Sequence, residues 1–469
     1  MEGKKRDNWT SSIGFIFAAA GSAVGLGNIW RFPYLAGANG GGAFILIYLI
    51  FVVFIGLSVM IAEFTIGRRS QLSAVGAYKK VNRRFTFAGV IGVLSAFLIM
   101  GFYPVVGGWS IAYIIKSFTG LLANEGAIAE SFGNFITSPV QPLLWMVVFM
   151  FLNLYIVAKG VSSGIEKAGK ILMPTLFVLL VLIGIRSVTL PGASEGLKFL
   201  FYPDFSKVTG ETFLNALGQQ FFSLSLGMGC MITYGSYISK QERLPKNAVI
   251  ITALDTLVAL LAGIAIFPAL FAFGLQPDQG PGLVFIVVPQ IFSEMGAIGP
   301  ILSAIFFIAL TIAALTSSIS LLEVVVAYLI DERKFNRTKA VISTGLVMTI
   351  MSVLASLSLG AFPNLKVFGV AVFDFFDILT DKIFLAIGGL LIAIFVGWFM
   401  NKEDLKDELT NGGSIEFGLF NIWYNLVKYV VPVAIAIVAV LGIIAIEQTS
   451  LMIFGLLVIL LLAIFSKKL

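Results

Sequence analysis

The chain has 469 residues, 58% of them hydrophobic and only 12% charged, where a soluble domain carries about 25% charged residues. This composition excludes an ordinary soluble protein and points to a polytopic membrane protein. A single cysteine, Cys230, and no histidine exclude an internal disulfide framework, the usual zinc and haem sites, and serine–histidine catalysis. No nucleophile–base constellation stands out, so the chain is expected not to be an enzyme. The net charge of +6 reads as membrane topology and not as a nucleic-acid surface, because of where the charges fall.

A spanning helix needs about 20 mostly apolar residues in a row. Twelve candidate segments follow one another, near 11–37, 41–66, 87–118, 142–158, 168–189, 211–238, 246–273, 294–329, 338–358, 367–399, 425–446 and 451–466. The last is short, so eleven spans is the alternative. The first apolar run, from Ile13, continues through Trp30-Arg31-Phe32-Pro33 and reads as a span, not a cleaved signal peptide. Lys and Arg crowd the N-terminus, the connection from Arg68 to Arg84, and the connections at 159–170, 240–246, 333–339 and 402–406, whereas 119–141 and 275–293 have neither. The positive-inside rule then places both ends in the cytoplasm of an inner-membrane protein. The acidic, Gly-containing stretch 401–414 reads as a solvated loop.

Segments one and six are unusual. The first contains Ala20-Gly21-Ser22-Ala23-Val24-Gly25-Leu26-Gly27-Asn28, the sixth Ser223-Leu224-Ser225-Leu226-Gly227-Met228-Gly229. Gly21 and Gly25 alone would suit close helix packing. Gly-interrupted segments at matching places in two halves instead mark the central site of a transporter built from inverted repeats. The expected organisation is an N-terminal cytoplasmic tail (1–10), a first five-helix repeat (11–189), a second, inverted one (211–400), and C-terminal helices (425–466). A broken helix frees carbonyl oxygens that suit a cation and N–H groups that suit a carboxylate.

Candidate ligands lie on other segments as well. Asp255 is a carboxylate about ten residues inside an apolar segment, costly there and a functional candidate by default. Asn28 adds a side-chain oxygen. Thr316-Ser317-Ser318 offers hydroxyls, although such groups commonly bond their own i−4 carbonyl. Glu63 and Glu323 suggest buried networks of unassigned role. Tyr103 is either a hydroxyl donor or an ordinary core tyrosine.

Together these residues resemble the neurotransmitter:sodium symporter family, particularly its bacterial amino-acid transporters. The resemblance rests on Ala23-Val24-Gly25-Leu26-Gly27-Asn28, Trp30-Arg31-Phe32-Pro33-Tyr34, Asn39-Gly40-Gly41-Gly42-Ala43-Phe44, Gln219 to Gly227 and Leu315-Thr316-Ser317-Ser318. It implies an all-α fold of inverted five-helix repeats with broken helices one and six, and two sodium sites. The first would use Ala23, Asn28, Ser223 and Asp255, and the second Gly21, Val24, Ala313, Thr316 and Ser317. An amino-acid substrate would touch Ser22, Ala23, Gly25, Leu26, Gly27, Ile99, Tyr103, Phe222, Ser223, Ser225, Met228, Ser317 and Leu321. Arg31 and Asp377 look like an extracellular gate, with Asp374 and Asp381 nearby, and Arg6, Trp9 and Asp331 like an intracellular latch. Monoamine carriers of the family have an acid where this chain has Gly25, which favours an amino acid with its own carboxylate. Chloride-dependent relatives have Asn at the place of Asp255, and chloride-independent ones often have Glu where this chain has Ala259. Chloride is therefore not expected to be required. A sodium-coupled sensor is the alternative reading; the oligomeric state is not set by sequence.

Overall fold

The computed structural model describes residues 7–122, 125–276 and 282–468; Arg6 lies outside them. Apart from coil connections, one short hairpin pairing Lys366–Val367 with Val370–Ala371 and an isolated bridge between Gly41 and Pro203, the described residues are helical. In chain order the main helices are α1 (Ser12–Ala23), α2 (Gly27–Ala38), α3 (Gly42–Ser70), α4 (Arg83–Lys116), α5 (Gln141–Ala158), α6 (Val161–Val188), α7 (Gly210–Ser223), α8 (Cys230–Gly235), α9 (Leu244–Ala272), α10 (Gly296–Arg333), α11 (Arg337–Ser358), α12 (Val372–Phe399), α13 (Lys402–Thr410), α14 (Phe420–Ile444) and α15 (Thr449–Ile464).

Among the described residues nine helices are long and apolar enough to cross a bilayer, and α1 with α2 forms a tenth span bent by 49°. The two remaining predicted segments are the sixth, split into α7 and α8, and the sixteen-residue α15. At about 1.5 Å per residue, α15 reaches about 24 Å, short of a hydrocarbon core of about 30 Å.

Both interruptions fall in the segments whose glycine content predicts them. Helix α1 starts where the Ser11 side chain accepts from the Gly14 N–H at 3.1 Å and stops at Val24, whose backbone is extended. Between α7 and α8 the chain takes positive φ at Ser225 (52°), Gly227 (79°) and Gly229 (77°). That conformation costs glycine almost nothing and other residues a good deal. Helix α10 packs along α4, and α1 is surrounded by α6, α9 and α10, so the first break lies at the centre of the bundle. Helix α14 lies at the periphery, with most of its apolar window facing outward.

The stretch 401–414 differs from expectation. It is not a solvated loop but carries α13, started by Asn401, whose side chain accepts from the Glu403 N–H at 2.8 Å. Leu405, Glu408 and Leu409 turn inward and are buried, an i, i+3, i+4 stripe that the charge-rich composition conceals. Arg68, fully buried, drives the docking. Its Nε meets the Glu408 carboxylate at 2.6 Å, its other nitrogens donate to the carbonyls of Glu408 and Glu242, and Lys240 holds the second Glu408 oxygen at 2.7 Å. Removing one partner from a buried ion pair costs about 3–5 kcal/mol. Arg68→Met should therefore lower the thermal unfolding midpoint of the purified protein clearly, and Arg68→Met with Glu408→Met should recover much of the loss. An unchanged midpoint in the single variant would mean that this contact does not hold α13.

Candidate functional site

The backbone breaks at 24–26 and 224–229 would strand polar groups in the membrane interior unless something met them. Side chains from other helices do so, in two clusters.

The first cluster is built on Asn28, Ser223 and Asp255, all essentially inaccessible to solvent. The Asn28 amide donates to Asp255 Oδ1 at 2.7 Å, to the Asp255 carbonyl at 3.0 Å and to Ser223 Oγ at 3.0 Å. Its oxygen accepts from the Gly25 N–H at 3.0 Å, so one side chain ties the break to both α7 and α9. The Ser223 hydroxyl lies 3.0 Å from each Asp255 oxygen, and the Tyr48 hydroxyl reaches Oδ2 at 3.5 Å. No cationic side chain forms an ion pair with Asp255 among the described residues. The carboxylate's side-chain partners are amide and hydroxyl groups, and this gathering of oxygens suits a small cation with oxygen ligands.

The second cluster brings α10 against the end of α1. Ser317 Oγ lies 2.8, 3.1 and 3.3 Å from the carbonyl oxygens of Ser22, Val24 and Gly21. Thr316 Oγ1 lies 3.1 Å from the Ala313 carbonyl and 3.5 Å from that of Val24. Thr316 also makes the local i−4 bond, to Ile312 at 3.0 Å. The local bond and the interhelical one coexist. All five oxygens that the family resemblance implies for a second sodium site, from Gly21, Val24, Ala313, Thr316 and Ser317, gather at this contact.

Between the clusters lies a cavity lined by Ala23, Gly25, Gly27, Ile99, Tyr103, Phe222, Ser225, Met228, Ser317 and Leu321. Every one of these is among the expected substrate contacts. The Leu26 N–H donates to Tyr103 Oη at 3.1 Å, and Ser225 Oγ donates to the Ser22 carbonyl at 2.7 Å. The cavity measures only about 20 Å³ in this conformation, room for about one water. At Gly25 a Cβ atom would fall 2.4 Å from Ser317 Oγ and 2.8 Å from Tyr103 Oη, so no side chain fits there without displacing both.

One expected pairing is corrected. Arg31 does not form its ion pair with Asp377 but with Asp381, one turn later, through two hydrogen bonds of 2.7 and 3.1 Å. Helix α12 widens into a π-helical turn over Leu379–Phe384, which carries Asp381 to the guanidinium. Lys382 approaches the same carboxylate at 3.6 Å. The Arg31 guanidinium lies 5.0 Å from the centre of the Phe222 ring, so the ion pair and the cavity wall are mechanically joined. A recess of about 400 Å³ borders the pair, with Glu211, Asn215 and α14 along its edge.

At the opposite end, Trp9 donates from Nε1 to the Tyr234 carbonyl at 3.1 Å, and its ring packs edge-on against Tyr234 and Tyr237. The Asp331 carboxylate accepts from the Ser73 N–H at 2.6 Å. The third expected latch residue, Arg6, is outside the described residues. Glu166 carried no sequence signal, whereas Glu63 and Glu323 were flagged without partners. The Glu166 carboxylate accepts from the Thr10 N–H at 2.8 Å and pairs with Lys170. Glu323 pairs with Arg337 at 2.6 Å and accepts from Tyr237 Oη at 2.8 Å. Glu63 accepts from the Gly227 N–H at 2.8 Å, which satisfies a donor freed by the second break. The two acids flagged only as buried network members thus acquire partners.

Comparison with known proteins agrees with this geometry. The family model for the sodium:neurotransmitter symporter family matches residues 6–134 and 128–456. A sodium-dependent transporter of Bacillus subtilis (strain 168), YhdH, is 42% identical over 442 residues, covering 93% of this chain and 98% of its own. The sodium-dependent serotonin transporter of Drosophila melanogaster is 27% identical over 493 residues, covering 95% and 78%. The crystal structure of MhsT in complex with L-phenylalanine is 46% identical, superposes with a TM-score of 0.86, and covers 93% of this chain and all of that one. With the family model matched over most of its residues and relatives more than 40% identical over 93% of its length, the chain belongs to the sodium:neurotransmitter symporter family.

Proposed function

We propose that this sodium-dependent symporter takes up an apolar L-amino acid, aromatic or branched aliphatic, by alternating access and without chloride. The observation that carries this reading is the cavity itself. Two clusters of oxygen ligands flank it, the N-terminal end of a broken helix faces it, and its remaining walls are mainly apolar. The halves 11–189 and 211–400 would act as inverted repeats, and both termini would lie in the cytoplasm of an inner-membrane protein.

In this reading the substrate carboxylate meets the N–H groups of Leu26 and Gly27 and the Tyr103 hydroxyl, where the dipole of α2 favours negative charge. The substrate amino group meets oxygens of Ala23, Phe222, Ser223 and Ser225. One sodium ion is held by the carbonyls of Ala23 and Ser223 with Asn28, the Ser223 hydroxyl, Asp255 and the substrate carboxylate. The other is held by the oxygens gathered around Thr316 and Ser317. Ion and substrate then share ligands, which is the physical basis of coupling. The lack of space at Gly25 supports a substrate that brings its own carboxylate. That MhsT was crystallised with L-phenylalanine supports an aromatic cargo. To admit one, the cavity must widen. Phe222 and Met228 are the adaptable walls, methionine because it is unbranched, and the backbone on both sides of Met228 is already glycine at positive φ.

The carboxylate of Asp255 supports independence from chloride. Two unit charges about 4 Å apart attract by about 4 kcal/mol at an effective dielectric of 20, before desolvation. Asp255 would thus balance the first sodium ion without a mobile anion. Arg31 and Asp381 would close the cavity towards one side, while Trp9 and Asp331, together with Arg6, would close it towards the other.

Three measurements test the reading. Thr316→Ala with Ser317→Ala should raise the sodium midpoint for substrate binding roughly tenfold or more, the equivalent of about 1.4 kcal/mol; an unmoved midpoint removes that ion site. In competition against a labelled substrate, tryptophan, tyrosine, phenylalanine and leucine should outcompete glycine, alanine, glutamate and lysine. A preference for a charged amino acid would contradict the pocket assignment. Uptake should be complete in chloride-free buffer, whereas Asp255→Asn should impair it and recover in part with chloride. Loss of wild-type uptake on chloride removal would overturn the role given to Asp255.

A further inference from the structure

A recess of about 400 Å³ lies where α3, the short helix Ala74–Val81 and the end of α12 meet. Arg69, Lys80, Val81, Phe399, Met400 and Asp404 are among its walls. Its chemistry is split. On one side Arg69 is half-buried and paired with Asp404 at 2.6 Å, while among the described residues the ammonium of Lys80 meets only the Ser70 carbonyl, at 3.2 Å. On the other side Phe399 and its neighbour Trp398 face outward, 50% and 58% exposed.

These aromatics end an apolar spanning helix, the depth at which aromatic rings sit at a membrane–water interface. Phe85 packs at a tilt against Phe399, with ring centres 4.4 Å apart. The exposed Arg83 and Arg84 immediately precede Phe85, and neither forms an ion pair among the described residues. Lys428 lies 4.9 Å from the Trp398 ring. The only acid lining the recess is Asp404, which Arg69 already holds. Around one cavity the chain therefore sets an excess of positive charge on the aqueous side and aromatic surface on the lipid side.

We propose that this recess binds the phosphate headgroup of an anionic phospholipid from the surrounding leaflet. Lys80 and Arg69 hold the phosphate, Arg83 and Arg84 add long-range attraction, and Trp398 and Phe399 line the start of the acyl chains. A freely soluble phosphate would use the cations but would gain nothing from the outward-facing rings, which is why the lipid is the favoured source. The proposal is independent of which amino acid is carried.

The test uses the full-length protein in nanodiscs with a photoactivatable phosphatidylglycerol bearing its reactive group near the headgroup. Adducts should map to 80–85 and 398–404, and phosphatidylglycerol should suppress them far better than phosphatidylcholine. One basic residue near an anionic surface is worth roughly a fivefold change in binding. Lys80→Gln should lower the adduct yield by about that factor, and Lys80→Arg should restore it. Higher ionic strength should weaken labelling. Equal competition by phosphatidylcholine, or an unchanged yield in Lys80→Gln, would overturn the proposal. So would suppression by inorganic phosphate as effective as that by phosphatidylglycerol, which would make this a soluble-anion site.

Discussion

The central structure depends on the requirement that backbone polar groups within a membrane be satisfied. An unbroken helix meets it internally. This chain breaks two helices at depth and so creates carbonyl and N–H groups with no intrahelical partner. Those groups are met by Asn28, just beyond the first break, by Ser225 within the second, and by Ser317 and Glu63 from α10 and α3. The partner residues fix where the breaks lie and how the surrounding helices are rotated. The same oxygens and N–H groups that would otherwise be a liability become the lining of a polar cavity in an apolar bundle.

The arrangement also explains why the ends of the molecule are laced with charge while its middle is not. Near the cavity the one carboxylate in contact with both broken helices, Asp255, has amide and hydroxyl partners only. Towards the two ends, acids are matched by cations: Asp381 with Arg31 and Lys382, Glu323 with Arg337, Glu408 with Arg68 and Lys240. Buried ion pairs add little net stability relative to apolar packing, yet they are costly to break one partner at a time. Such pairs favour discrete arrangements over continuous deformation. The Arg31–Phe222 contact joins the Arg31–Asp381 pair to the cavity wall, so the two do not move independently.

Docking of α13 shows the same logic outside the site. Its composition is that of a solvated segment, but Arg68 is fully buried beneath it. A buried guanidinium needs a carboxylate and carbonyls around it, and Glu408 with the carbonyls of Glu408 and Glu242 meets that need. The connection between α12 and α14 is thereby tied to α3 and to the segment leading into α9.

The cavity-lining residues were expected from the family resemblance, whereas the apolar segments and the positions of both breaks were legible in the amino-acid sequence by itself. These are local properties: apolar runs of bilayer length, glycine where a helix must stop, and oxygen-bearing side chains amid hydrocarbon. Tertiary structure alone decided the pairings. Asp374, Asp377 and Asp381 lie within about two turns, and 377 and 381 share a helix face, so periodicity does not distinguish them. The π-helical turn at Leu379–Phe384 and the direction of Arg31 select Asp381. Glu63 and Glu323 were legible as buried acids, but their partners, the Gly227 N–H and Arg337, come from segments folded against them. The burial of α13 was invisible because it depends on Arg68, more than three hundred residues earlier in the chain. Local patterning fixes where a chain must be apolar, broken or polar, whereas which charge meets which depends on helix rotation and contact between distant segments.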